Sequence, residues 1–82
     1  MHVTVVSPER AVFDGAADAV VAPAYDGQVG ILSRHAPFLT LLGTGVLQVR
    51  EGNGSSRFQV SGGFLQVVGD AVRVVADRVD AV

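Results

Sequence analysis

Three features of this sequence predict an all-β fold, a small β-sandwich or flattened barrel. Apolar residues recur with a period of two in most segments, clearest in Val46-Leu-Gln-Val-Arg50 and Arg57-Phe-Gln-Val-Ser61. Glycine, proline and Asp-Gly punctuation returns at intervals of roughly eight to ten residues, the spacing of short strands in a sandwich. Outside the last few residues, no stretch long enough for a stable helix carries a helical period. At 82 residues, the chain is one domain, 1–82, with a thin stability margin that a partner would improve.

Taken in order, His2-Val-Thr-Val-Val6 is β-branched and reads as a strand, stopped at Ser7-Pro8 because Pro8 lacks an amide proton and holds Ser7 extended. Ala11-Val-Phe13 is a short strand, and Asp14-Gly15 a tight turn. Ala16 to Ala22 is the next strand, closed by Pro23. Tyr25-Asp26-Gly27 turns into Gln28-Val-Gly-Ile-Leu32, where the mid-strand Gly30 signals a bulge or a close backbone approach. Ser33-Arg-His-Ala-Pro37 is a loop.

Phe38-Leu-Thr-Leu-Leu42 is a strand. Phe38, Leu41 and Leu42 suit a core, yet so many consecutive apolar residues cannot all face inward, and an outward apolar patch suggests a partner. After Gly43-Thr-Gly45 come two alternating strands joined by the polar loop Glu51-Gly-Asn-Gly-Ser-Ser56. Gly62-Gly63 interrupts what is otherwise one strand from Arg57 to Val68. A bend carrying that strand from one sheet to the other accounts for the pair, and Phe64 beyond it reads as core. Gly69-Asp70 fits a two-residue hairpin turn into Ala71-Val-Arg-Val-Val-Ala76. Asp77–Val82 is the one place where a helix could begin.

Composition narrows the function. Net charge is −2, and all six basic residues are scattered arginines, so no basic stripe exists to neutralise nucleic-acid phosphates. Without cysteine there is neither a disulfide framework nor a thiolate metal site. No signal-peptide pattern and no membrane-length apolar run is present, which predicts no direct membrane insertion. Ser33, His35 and Asp26 are close in sequence but lack a nucleophile elbow, and Gly27-Gln-Val-Gly30 lacks a phosphate-loop pattern. No catalytic residue, metal site or cofactor is expected.

Phe13-Asp-Gly15, Gly27-x-x-Gly-Ile-Leu32, His35-Ala-Pro37, Gly45, Ser61-Gly-Gly-Phe64 and Val72-x-Val-x-Ala76 come in the order and spacing of a known family. From end to end the chain resembles the N-terminal domain of the ε subunit of bacterial and chloroplast F-type ATP synthases, whose mitochondrial counterpart is the δ subunit. The resemblance implies a β-sandwich of about ten short strands at the foot of the rotating central stalk. It implies a non-catalytic role that links the γ subunit to the polar loops of the membrane c-ring and supports the coupling of proton flow to ATP synthesis. The site would be peripheral, on the cytoplasmic face of the cell membrane. Carried over by position, Ser7, His35 and Thr40 face γ, and the turn at Asp26, Gly27 and Gln28 meets the c-ring. Gly30, Gly62 and Gly63 are structural glycines.

Two departures limit what is carried over. Position 28, often acidic in the family, is Gln28, so no salt bridge to a basic ring loop is expected. The family usually continues into a C-terminal helical hairpin where this sequence stops, so the hairpin's inhibitory role is not expected here. The competing reading is a free-standing β-sandwich binding module for a peptide or small ligand. Its aromatic content of 6% and scattered polar residues argue against such a pocket.

Overall fold

β1 (His2–Val6) buries Val3 and Val5 and leaves His2 exposed, the split that a period of two imposes on a half-buried strand. On one side it pairs antiparallel with β2 (Ala11–Ala16) and on the other parallel with β8 (Ala71–Ala81). From β8 the sheet continues through β7 (Gly54–Val68), β6 (Thr44–Glu51) and β3 (Ala19–Ala24) to β4 (Gly27–Leu32). β5 (Phe38–Leu41) lies off this path and pairs with β7. The computed structural model describes residues 1–34 and 36–82, and among these there are eight strands and no helix.

The sheet folds into two layers because β7 changes partners midway. Gly54–Ser61 pairs with β6, and Phe64–Val67 pairs with β5. Between these halves Gly62 and Gly63 adopt φ of +69° and +101°, a region that costs a residue with a Cβ. The inward residues are Phe58 and Val60 before the glycines but Leu65 and Val67 after them, so the face presented to the core switches by one residue. Phe64 is thereby turned outward and is 36% exposed, correcting its expected place in the core. β8 bends with β7: Val72, Val74 and Ala76 face inward, then Val79 packs partly on the core, while Asp77 sits opposite Gly62 outside the ladder.

One cluster of buried apolar residues from both layers fills the space between them, and no described polar or charged side chain is buried with it. This is the all-β sandwich the sequence predicts, with the sheet left open rather than closed into a barrel. The two-residue turn at Gly69-Asp70 forms as expected, with Gly69 at φ +59°. The loop after β6 shrinks to Gly52-Asn53, since Glu51 already pairs with Gly54.

Three local readings are corrected. Asp14-Gly15 is no turn: both residues stay in β2 opposite Thr4 and Val3, and the chain turns at Ala17-Asp18 instead. Pro23 does not close its strand. Its carbonyl accepts the Gly43 N–H at 2.8 Å on the side away from β4, so its missing donor falls where pairing to β6 has already ended at Val21. The terminal segment is strand rather than incipient helix, because Phe58–Ser61 still offers an edge that Arg78–Ala81 completes. With most of the described residues in strands, the far-UV circular dichroism of the isolated chain is expected to show a β spectrum. Helix above about a quarter of the residues would be inconsistent with this fold.

Candidate functional site

The outer face of the layer containing β5 carries the unusual chemistry. Register places Leu39 beside Gln66 and Leu41 beside Phe64. Phe64 in turn pairs with Val75, and Val75 with Val6. Leu41, Phe64, Val75 and Val6 thus form an apolar row across the solvent side of neighbouring strands. Leu39 and Leu41 are 66% and 63% exposed, large for leucine in a strand. The expectation that the Phe38–Leu42 stretch cannot all face inward is met by alternation: Leu42 enters the core, Phe38 packs partly against it, and Leu39 and Leu41 point out.

Beside this face lies an open groove of about 970 Å³. Leu39, Leu41, Phe64 and Gln66 line one side, and the β3–β4 hairpin, through Tyr25, Asp26, Gln28 and Val29, lines the other. Main-chain bonds fix the two sides to each other: the Tyr25 N–H donates to the Leu41 carbonyl at 3.1 Å, and Ala24 bridges to Leu42. Leu42 also donates to the Gly63 carbonyl at 2.9 Å, and Gly62 to the Gly43 carbonyl at 3.3 Å. The groove is therefore anchored to the double-glycine bend, so the bend positions the site as well as the core. Tyr25, Phe38 and Phe64 all line it, which brings together aromatics that are scattered in sequence.

The residues singled out from the sequence fall in several places. Thr40, Asp26 and Gln28 line the groove together, and Gly27, at φ +132°, completes the exposed turn beside it. Ser7 lies apart, in a polar depression with Pro8, Glu9 and the Asp77–Asp80 segment of β8, and its hydroxyl donates to the Arg10 carbonyl at 3.3 Å. His35 lies outside the described residues. Gly62 and Gly63 are at the bend. Gly30 keeps regular register opposite Val21 with open space where a Cβ would stand, so neither a bulge nor a close approach is found there. Leu39 and Tyr25 were not singled out, and Leu41 and Phe64, both read as suiting the core, lie on the surface. The signal for Phe64 was present, since Gln66 shares its face and Leu65 and Val67 share the other.

Among the described residues no group of three His, Asp or Glu side chains is placed to hold a metal ion, and no helix is long and apolar enough to cross a membrane. Exposed polar pairs exist, including His2 Nε2 with Asp14 Oδ1 at 2.5 Å, but they stand on open strand surface rather than in a cleft. Fold and surface together define an open β-sandwich with an uncovered apolar face beside a groove. The chain belongs to the family described as the beta-sandwich domain of the ATP synthase delta/epsilon chain, which matches residues 1–81.

Curated relatives agree. The chain is 47% identical over 78 residues to an ATP synthase epsilon chain of Alkalilimnicola ehrlichii, covering 94% of this chain and 56% of that one. It is 39% identical over 78 residues to the epsilon chain of Leptospira borgpetersenii, covering 95% and 61%. It thus spans little more than half the length of these relatives. Among solved structures, a chain of the Euglena gracilis mitochondrial ATP synthase (OSCP/F1/c-ring) superposes with a TM-score of 0.89 at 21% identity, covering 96% of this chain and 51% of that one. A chain of the Tetrahymena thermophila mitochondrial ATP synthase central stalk and c-ring gives 0.82 at 22% identity, covering 99% and 66%. At these identities the likeness is one of fold.

Proposed function

We propose that this chain is a non-catalytic component of the central stalk of an F-type ATP synthase, joining the γ subunit to the c-ring and supporting the coupling of ion flow to ATP synthesis. The observation that carries the reading is the apolar row ending in Leu41 and Phe64, on a chain of the delta/epsilon family. A domain this small gains stability by covering such a surface. The γ-facing surface is assigned to this row together with Thr40, His35 and Ser7. The c-ring contact is assigned to the Asp26-Gly27-Gln28 turn. Because Thr40 lines the same groove as Asp26 and Gln28, the two contacts adjoin there, so one rigid domain can pass force from γ to the ring. In this role the chain is peripheral to the membrane, at its cytoplasmic face.

The groove also keeps a second reading in play, a free-standing module for a peptide or small ligand, since its volume and aromatic lining suit one. Two measurements separate the readings. The chain is expected to be retained by the isolated γ subunit of the same organism. Restoring it to membrane vesicles carrying an enzyme depleted of its stalk subunit is expected to raise proton pumping per ATP hydrolysed. No retention and no change in that ratio would reject the stalk assignment.

A further inference from the structure

β5 is paired along one side with β7, and on its other side its Leu41–Leu42 end is bonded, to Tyr25 and Ala24. The Leu42 N–H bonds to Gly63, which sets the phase of the ladder: Thr40 and Leu42 direct their main-chain groups towards β7, while Leu39 and Leu41 direct theirs away from it. The Leu41 carbonyl is taken by Tyr25 at 3.1 Å. By that phase the Leu39 N–H and C=O point to the side of β5 away from β7, and Leu39 lines the groove. Its lining points the same way: β5 contributes the consecutive residues Leu39, Thr40 and Leu41, whereas β7 contributes only alternate ones, Phe64 and Gln66. A groove lined by consecutive residues of a strand runs along its edge, and one lined by alternate residues runs over its face.

Edge strands are ordinarily guarded by charge, and β5 has none between Phe38 and Leu41. Among the described residues, the only formal charge lining the groove is Asp26. These features fit one kind of occupant. We propose that an extended segment of the docking partner adds a strand to the free edge of β5, with its main chain bonded to Leu39. Its alternate apolar side chains lie against Leu39, Leu41 and Phe64, and a cationic residue lies at the Asp26 end, where the γ and c-ring contacts adjoin. This rests on the reading above that the face docks a partner, and it specifies how the partner is held.

Proline separates an edge contact from a face contact. Leu39→Pro removes an N–H that faces away from β7 and takes no bond in the β5–β7 ladder, whereas Leu39→Val keeps it and trims the side chain. Both variants are expected to melt within a few degrees of the unaltered chain. Leu39→Val is expected to keep γ affinity within about threefold, and Leu39→Pro to lose at least about tenfold, one hydrogen bond's worth or more. Amide exchange gives a reading free of mutation: the Leu39 N–H should exchange rapidly in the free chain and be strongly slowed in the γ complex. Equal affinities for the two variants, or an unprotected Leu39 amide in a formed complex, would overturn the inference alone. Failure of the unaltered chain to bind γ would overturn the docking assignment with it. Slow Leu39 exchange in the free chain, accompanied by dimers in sedimentation, would give the edge to a second copy and overturn the inference as well.

Discussion

Replacing Gly63 with alanine is expected to lower the melting temperature of the isolated chain by about 15 °C or more. A Cβ on Gly63 would collide with the Val75 carbonyl oxygen and would stand 2.8 Å from the Ala76 Cα, so the obstruction is the β8 backbone itself. The residue must also hold φ at +101°, outside the small left-handed well that L-residues tolerate. Strain and overlap together amount to about 3–5 kcal/mol, a large share of the stability of a domain this size. Gly62→Ala is expected to be milder, about 1–2 kcal/mol. It sits at φ +69°, and the atoms nearest its Cβ would be those of the Asp77 side chain, which is exposed and able to swing aside. Valine should be worse than alanine at both positions because of its stiff β-branch. Gly30→Ala, with open space at its Cβ, is the control expected to melt like the unaltered chain. Equal losses at positions 62 and 63 in differential scanning calorimetry would show that the approach of β8 to the bend is not what requires glycine.

Leu41→Asp should leave the fold intact and abolish docking. Leu41 is 63% exposed and off the core, so its replacement is expected to change stability by no more than about 1 kcal/mol. In a complex, the carboxylate would be buried against an apolar surface without a partner, costing several kcal/mol of affinity, on the order of a hundredfold or more in Kd. Thr40→Asp, half-buried in the same groove, should act in the same direction with some loss of stability. Val68→Asp is the matched control: it is 58% exposed at the end of β7, on the face that carries Phe64, but lies outside the groove, and γ affinity should hold. Titration of the isolated γ subunit by calorimetry reads all three. Wild-type affinity in Leu41→Asp would remove the apolar row from the interface.

The sequence by itself determined the all-β class, the alternation within most strands, the turns at Tyr25-Asp26 and Gly69-Asp70, and the family. These are local properties: period, turn chemistry and a spaced set of motifs need no knowledge of what lies across the sheet. It also showed that the Phe38–Leu42 stretch holds more apolar side chains than an inward face accepts. Only the tertiary structure decided which of them face out, that Phe64 joins them, and that Thr40 shares a groove with Asp26. The physical reason is the Gly62-Gly63 bend. Glycine permits either sign of φ, so the residues alone do not say whether the strand keeps its phase through the pair. The close approach of β8 at Val75 and Ala76 selects the positive values, and with them the switch of face that turns Phe64 outward. The same non-local control set the strand limits. Pairing with β1 drew Asp14 and Gly15 into β2, and the open edge of β7 drew the last residues into β8, each overriding a local signal for turn or helix.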